Sequence, residues 1–256
     1  LNGAAQGYAL LAALAPERPT IVHPHFTEPD RALPAAAQVV LAEPWHPRVA
    51  DVPAGADLVI VGRPVNPTGV LPDTTELRAM AERRTVVVDE AFLPFTPERS
   101  LADGGAPPNT IVLRSITKHL AIPGLRAGYL VGPADVAARL RDARPGWSVN
   151  ALALAALAAH AERGDDPELP HRTAAAREEL ASQLRALGIT IHDGAANFLL
   201  ATVPEGARVV QQLRTDYGIA VRPAGTFPGL TPDHVRITVR GGADDERLIA
   251  ALRTLV

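Results

Sequence analysis

Lys118 is the only lysine among the 25 Lys and Arg residues of the chain, and it lies in the segment SITKHLAIPGLRAGY at residues 115–129. Arginine stays protonated in proteins, whereas the amine of a lysine can lose its proton and attack a carbonyl carbon. Ser115 and Thr117 place hydroxyls before this amine, and Arg126 follows a Pro-Gly turn. A single lysine without a chemical role would explain the count equally well. The other motifs of the chain must therefore decide whether Lys118 is a catalytic residue.

Three of these motifs place small or polar residues where ligands bind in α/β proteins. In NGAAQG, the residues Gly3, Ala4 and Ala5 lead into a predicted helix, whose positive end attracts anions such as phosphate. NPTG at 66–69 follows the apolar run ADLVIVG, and Asp89 closes the run VVVD. Ligands of parallel sheets bind at such strand ends. Taken singly, each motif is also explained as an ordinary turn or a solvated strand end.

The composition excludes several classes of function. Of the 256 residues, 47% are hydrophobic and 21% charged, which is ordinary for a soluble globular protein with a buried core. A formal net charge of −3 with scattered arginines provides no basic surface for nucleic acid or an anionic membrane. The chain has no cysteine, which excludes thiolate metal ligands and fits a cytoplasmic location, and we expect no metal site. No apolar run reaches the roughly 20 residues of a membrane span.

The elements that position these residues follow from the alternation of β-branched runs with helical patterns, which predicts an α/β protein with a mainly parallel sheet. The predicted strands of the first half are TIVHPH, QVVLAE, ADLVIVG, TVVVDEAF, TIVLRSI and RAGYLVG, and the predicted helices cover 5–15, 74–84, 135–144 and 151–163. The second half predicts a smaller α+β domain with the strands ITIHDG, NFLLATV, IAVRPA and HVRITVR, helices at 171–187 and 207–217, and a closing helix. The polar segment GDDPELP at 164–170 predicts the boundary between a large domain, 1–164, and a small domain, 165–256.

The motifs NGAAQG, HPHF, NPTG, DEAF, SITK and GLRAGY, in this order and spacing, resemble the aspartate-aminotransferase-like enzymes of fold type I, which use pyridoxal 5′-phosphate (PLP). The resemblance covers essentially the whole chain and points to the branch with histidinol-phosphate aminotransferase and threonine-phosphate decarboxylase. It implies PLP as cofactor, a small and phosphorylated amino-acid substrate, and a homodimer with the active site at its two-fold interface. Members of the family carry an additional N-terminal segment, which this chain, beginning at Leu1, is expected to lack.

The resemblance also implies a role for each matching residue. Lys118 would bind the cofactor covalently and move protons, and Asp89 would keep the pyridine nitrogen protonated. Asn66 would hydrogen-bond the phenolic oxygen of the ring, and Phe26 would stack on its face. The phosphate would be held by Gly3, Ala4, Ala5, Ser115 and Arg126. The substrate would be held by Asn197, Arg236 and Arg240, with Arg236 on the α-carboxylate; a surface charge at a strand edge is the alternative for Arg236.

Small departures within the branch favour one of its two reactions. DEAF has Phe92 where the aminotransferases usually have tyrosine, and decarboxylases more often have DEAF. RPGWSVNALALAAL and HPHFTEPDRAL resemble decarboxylase segments, although Pro29 stands where tyrosine is common, and VRITVR favours the same assignment. The resemblance therefore favours decarboxylation of O-phospho-L-threonine to 1-amino-2-propanol phosphate in corrinoid (cobalamin) biosynthesis. A histidinol-phosphate-type aminotransferase is the alternative.

A ligand sensor built on the same fold is a third, non-enzymatic hypothesis. The lack of a DNA-binding module and of a basic patch argues against it. The choice between the two reactions depends on which bond at the substrate Cα is held perpendicular to the ring, and a sequence does not contain that geometry.

Overall fold

The computed structural model describes all residues, 1–256. The first half of the chain forms a six-stranded sheet in the order β2-β1-β3-β4-β5-β6. Its strands are β1 (Pro19–His23), β2 (Ala37–Val40), β3 (Leu58–Gly62), β4 (Thr85–Asp89), β5 (Thr110–Ser115) and β6 (Gly128–Val131). All neighbours are parallel except β5 and β6. The prediction of a mainly parallel sheet is confirmed, and β6 runs antiparallel because no α-helix carries the chain back from β5.

Five helices accompany this sheet: α1 (Ala4–Leu10), α2 (Glu28–Ala32), α3 (Thr74–Ala81), α4 (Ala134–Asp142) and α5 (Ala151–Arg163). Two of them begin at side-chain caps, because Asp73 accepts a hydrogen bond from Thr75 N at 2.7 Å and Asn150 accepts one from Ala153 N at 2.8 Å. α1 ends earlier than predicted and continues as a short 3₁₀ helix to Leu14. No helix of the structure is both long and apolar enough to cross a lipid bilayer.

The four central strands, β1, β3, β4 and β5, are buried on both faces, as their continuous apolar runs predict, whereas the edge strand β2 is largely exposed and β6 is half-buried. Successive residues of a strand point to opposite sides of the sheet. Leu58 and Ile60 of β3 therefore join one buried cluster with Tyr8 and Leu113, whereas Val59 and Val61 join another with Met80 and Val88 on the other side. The sheet between these two clusters is a rigid platform for the loops at its carboxyl edge.

The second half of the chain forms an antiparallel four-stranded sheet in the order β7-β8-β10-β9. It consists of β7 (Thr190–His192), β8 (Phe198–Thr202), β9 (Arg222–Pro223) and β10 (His234–Thr238), with α6 (Leu169–Ala186), α7 (Gly206–Asp216) and α8 (Gly242–Leu255). The predicted strand IAVRPA shrinks to two residues because Pro223 cannot donate to a ladder and is confined to an edge strand. α6 begins within 164–170, and the domain boundary in that segment stays a prediction.

The acidic pair at the end of β4 is not a solvated strand end. The side chain of Glu90 is fully buried, and it accepts hydrogen bonds from Ser100 Oγ at 2.5 Å and from Leu101 N at 3.0 Å. Arg114 Nη1 lies 3.2 Å and Arg63 Nη1 3.9 Å from its carboxylate oxygens. Because a buried carboxylate is costly without partners, this network holds the carboxyl end of β4 in a single arrangement.

Replacement of Gly128 by alanine should destabilise the large sheet. A Cβ at Gly128 would lie 2.7 Å from Arg114 O and 2.9 Å from Ala4 N, so the start of β6 would have to move away from the turn before α1. We expect Gly128→Ala to lower the free energy of unfolding by about 1–3 kcal/mol, the usual cost of overpacking. Equilibrium unfolding in urea measures this change.

Gly124→Ala is the matched control. A Cβ at Gly124 would meet no atom within 4 Å. We therefore expect its free energy of unfolding to stay within about 0.5 kcal/mol of the parent value. Equal destabilisation by the two substitutions would contradict the close approach at Gly128.

Candidate active site

Most of the predicted site residues line one cavity of about 370 Å³. Gly62 pairs with Asp89 and Asp89 pairs with Leu113, so β3, β4 and β5 end at the same edge of the sheet. The loops after these strands, α1 and the antiparallel sheet surround the cavity. The predicted residues that line it are Ala4, Ala5, Phe26, Asn66, Asp89, Ser115, Lys118, Arg126 and Arg236. The parallel sheet thus brings together motifs that are far apart in the chain.

Asp89 lies at the end of β4 with both carboxylate oxygens hydrogen-bonded. Oδ2 accepts from Tyr8 Oη at 2.5 Å, and Oδ1 accepts from Ala91 N at 2.9 Å. Burial raises the pKa of Asp89, an effect partly offset by these two hydrogen bonds and by the charge of Lys118. Burial and the charge of Asp89 raise the pKa of Tyr8 well above its usual range, so Tyr8 remains a donor. The carboxylate is oriented but forms no ion pair, so a cation of a ligand can pair with it.

The amine of Lys118 extends from the loop after β5 into the cavity. Its Nζ lies 5.8 Å from the centroid of the Phe92 ring. Burial lowers the pKa of Lys118, and the positive charges of Arg236 and Arg126 lower it further. A lowered pKa increases the share of the neutral amine, which is the nucleophilic and proton-accepting form.

The turn before α1 packs against the guanidinium of Arg126. Gly3 has a φ of 70°, and a Cβ there would lie 2.5 Å from Arg126 Nη2, so only glycine fits. Arg126 itself has a left-handed conformation with a φ of 57°. Ser115 is buried at the end of β5 and lines the same part of the cavity. The turn, the hydroxyl and the guanidinium together are suited to a phosphate group.

Arg236 reaches the cavity from β10 and donates a hydrogen bond to Asn66 Oδ1. Its Cζ lies 5.0 Å from the centroid of the Phe198 ring, and its Nε has no hydrogen-bond partner. Burial, followed by the charge of Arg222, lowers the pKa of Arg236 to about 10. Because Asn66 accepts from Arg236 through its oxygen, its amide nitrogen is left to donate to a ligand.

Six residues that line the cavity were not among the predicted site residues: Ala91, Phe92 and Thr117, which lie within the quoted motifs, and Tyr8, Arg222 and Phe227, which do not. Tyr8 follows Ala4 by one helical turn and therefore lies on the same face of α1, a signal that could have been used. Arg222, with its Cζ 5.4 Å from the Phe227 ring centroid, gave no such signal, because its approach to Arg236 depends on the pairing of β9 with β10.

Three predicted residues do not line the cavity. Gly3 packs against the guanidinium of Arg126. The side-chain oxygen of Asn197 is buried and has no hydrogen-bond partner. Arg240 is separated from the cavity because β10 ends at Thr238 and the chain turns into α8. Its Nε donates to Asp244 Oδ2 at 2.6 Å, and its backbone N donates to Asp245. Arg240 thus contacts the start of α8 in this structure, and its role in holding the substrate stays a prediction.

Known proteins resemble the chain over most of its length. A model of the family "Aminotransferase class I and II" matches residues 40–255. A protein named histidinol-phosphate aminotransferase from Mycobacterium tuberculosis is 43% identical over 250 residues, which cover 94% of this chain and 68% of that protein. A threonine-phosphate decarboxylase from Salmonella typhimurium is 35% identical over 275 residues, covering 97% of this chain and 74% of that protein.

A solved structure agrees with this assignment at the level of the fold. The histidinol-phosphate aminotransferase from Clostridium acetobutylicum superposes with a TM-score of 0.89 over 99% of this chain and 82% of that protein, at 24% identity. The family match, the identities and the shared fold give one conclusion: the chain belongs to the aminotransferase class I and II family, whose fold type I enzymes use PLP.

Proposed function

We propose that this chain is a PLP-dependent enzyme that transaminates a small phosphorylated amine of the histidinol-phosphate type. The observation that carries the phosphorylated substrate class, which both candidate reactions share, is the pair of guanidiniums of Arg222 and Arg236, which line the cavity and form no ion pair with any carboxylate of the chain. Two adjacent cations of this kind are stabilised by an anionic ligand, and a phosphate dianion suits the fork of an arginine.

The residues of the cavity fit PLP. Asp89 offers a hydrogen-bonded carboxylate without a cationic partner to the pyridine nitrogen, and Asn66 offers its amide nitrogen to the phenolic oxygen. The Gly3 turn, Ser115 and Arg126 would hold the phosphate. When bound, PLP supplies an electron-withdrawing ring that stabilises the charge developing at the substrate Cα.

The protein's own groups divide the remaining work. Tyr8 holds Asp89 in one orientation by donating to Oδ2. Lys118 would bind the cofactor and then, as a neutral amine of lowered pKa, accept the proton from the substrate Cα and pass it on to the cofactor. Arg236 would fix the anionic end of the substrate, and its desolvated position strengthens that interaction relative to water.

The names of the relatives support transamination as the first candidate. The 43% identical relative is named histidinol-phosphate aminotransferase, whereas the threonine-phosphate decarboxylase is 35% identical. The names of the relatives thus favour transamination over decarboxylation, whereas the DEAF motif of the sequence favours decarboxylation. A homodimer and the absence of a nucleic-acid partner stay predictions.

Decarboxylation of O-phospho-L-threonine is the second candidate, and two observations favour it. Phe92, which packs edge to face on Phe198 with ring centroids 5.1 Å apart, provides no hydroxyl near Lys118. Arg222 and Arg236 offer two separate guanidiniums, and O-phospho-L-threonine has two anionic groups, a phosphate and a carboxylate. Histidinol phosphate has only the phosphate.

The first prediction is that Lys118 binds the cofactor. Borohydride reduction of the PLP-saturated protein, followed by peptide mapping, should place a pyridoxyl group on Lys118, because Lys118 is the only lysine of the chain. Lys118→Arg should bind no cofactor covalently, since a guanidinium stays protonated. Labelling of the amino terminus alone would contradict the assignment.

The second prediction concerns the anion site. Arg236→Leu should lower kcat/KM for a phosphorylated substrate roughly ten- to a hundredfold, because a charge-assisted bidentate contact contributes about 1.5–3 kcal/mol. Arg240→Leu is the matched control on the same segment and should change kcat/KM less than about twofold, since the structure pairs Arg240 with Asp244. Equal losses in both variants would contradict the separation of Arg240 from the cavity.

The third prediction decides between the two reactions. An aminotransferase should convert histidinol phosphate only when a 2-oxo acid acceptor is present, because the cofactor is left in its amine form after the first half-reaction. A decarboxylase should release carbon dioxide and 1-amino-2-propanol phosphate from O-phospho-L-threonine without an acceptor. Product analysis of both substrates, each with and without a 2-oxo acid, measures this difference; acceptor-independent carbon dioxide would reverse the order proposed here.

A further inference from the structure

A second group of ligand atoms lies around Asp165, in the segment between α5 and α6. His119 follows Lys118 in the loop after β5, and His160 lies in the last turn of α5. His119 Nε2 lies 3.3 Å and His160 Nε2 lies 3.5 Å from the same oxygen, Asp165 Oδ1. All three ligand atoms lie within 4.8 Å of one another. The loop after β5 thus meets the end of α5, about 40 residues further along the chain, with three ligand atoms close together.

The spacing of these atoms is that of ligands around one zinc ion. Two ligands bound tetrahedrally at about 2.0–2.1 Å from zinc are separated by about 3.3 Å. Both distances to Asp165 Oδ1, 3.3 and 3.5 Å, are close to this value, and the two imidazole nitrogens lie within 4.8 Å of each other. Two imidazoles and one carboxylate are also a ligand set that zinc accepts, without any cysteine.

His119 supplies an independent reason to expect a ligand. Its side chain is 3% exposed, and neither ring nitrogen forms a hydrogen bond of normal geometry. A buried polar group without a partner costs free energy, and most such groups in proteins are satisfied. A metal ion bound to Nε2 would satisfy one of the two nitrogens directly.

Arg114 does not compete for the same oxygen. Its Nη2 lies 3.5 Å from Asp165 Oδ2, the oxygen not shared with the histidines, while its Nη1 pairs with Glu90. Carboxylates that bind metals are commonly held by a hydrogen bond to their second oxygen. Arg114 is therefore placed to orient Asp165 toward the two imidazoles.

We infer that His119, His160 and Asp165 form a zinc site with one coordination position left for water. Because His119 directly follows Lys118, bound zinc restrains the lysine-bearing loop 116–127 against the end of α5. The site would thus act as a clamp on the loop that carries Lys118. This inference does not depend on whether the enzyme catalyses transamination or decarboxylation. The sequence showed no metal motif because His119 comes from a different element than His160 and Asp165.

Zinc binding by the full chain tests this inference. Protein saturated with PLP, dialysed and freed of metal with a chelator is titrated with Zn²⁺ in competition with a chromogenic chelator. We expect one zinc per chain, and an affinity about tenfold or more weaker in His160→Gln and in Asp165→Asn. His171→Gln and Asp166→Asn are matched controls, because they replace the same residue types at exposed neighbouring positions, and they should bind zinc as the parent does. All variants keep Lys118, so any zinc bound by the cofactor is common to them.

Hydrogen exchange read by mass spectrometry tests the clamp itself. Zinc should slow exchange in peptides covering 116–122 of the parent protein and leave the same peptides of Asp165→Asn unchanged. Equal zinc affinity in the parent and Asp165→Asn, or no binding by the parent at micromolar zinc, would overturn the site and leave a histidine–carboxylate ion pair. Zinc binding without slower exchange at 116–122 would overturn the clamp.

Discussion

The buried ion network around Glu90 is the interaction on which the rest of the site depends. Glu90 is fully buried at the carboxyl end of β4, where Arg114, Arg63 and two hydrogen-bond donors surround its carboxylate. In a medium of low dielectric, the loss of one partner would leave an uncompensated charge, so the strand end has little freedom. Asp89 precedes Glu90 and lines the cavity. Its backbone is therefore held by the buried network of Glu90, and its carboxylate is oriented by the hydrogen bond from Tyr8.

The charge of the cavity is opposite to that of the protein. The chain has a formal net charge of −3, yet the cavity is lined by Lys118 and three arginines with a single carboxylate, Asp89. Burial lowers the pKa values of Lys118 and Arg236, and the positive charges of neighbouring arginines lower them further. An anionic cofactor and an anionic substrate relieve this repulsion, which links the binding of PLP phosphate and of substrate to the reactivity of the lysine amine.

Arg114 connects this centre with the proposed zinc site. One of its nitrogens pairs with Glu90, and the other lies 3.5 Å from Asp165. The loop that follows β5 carries Lys118 on its cavity side and His119 toward Asp165. The same short segment therefore lines the cofactor cavity at one residue and contacts the histidine–carboxylate cluster at the next, so a single peptide bond joins the two places.

The sequence by itself determined the parallel sheet, the family resemblance and the residues whose chemistry has no substitute: Lys118, Asp89, Asn66 and Arg126 line one cavity as expected. These could be predicted because apolar runs determine buried strands and because the motifs at their ends are local. Only the tertiary structure revealed the hydrogen bond from Tyr8 to Asp89 and the proximity of Arg222 to Arg236. The same is true of the cluster formed by His119, His160 and Asp165. The tertiary structure also revealed that Arg240 donates to Asp244 at the start of α8. Each of these results depends on strand pairing or on where an element ends, and such long-range contacts join residues whose distance along the chain contains no signal of their distance in space.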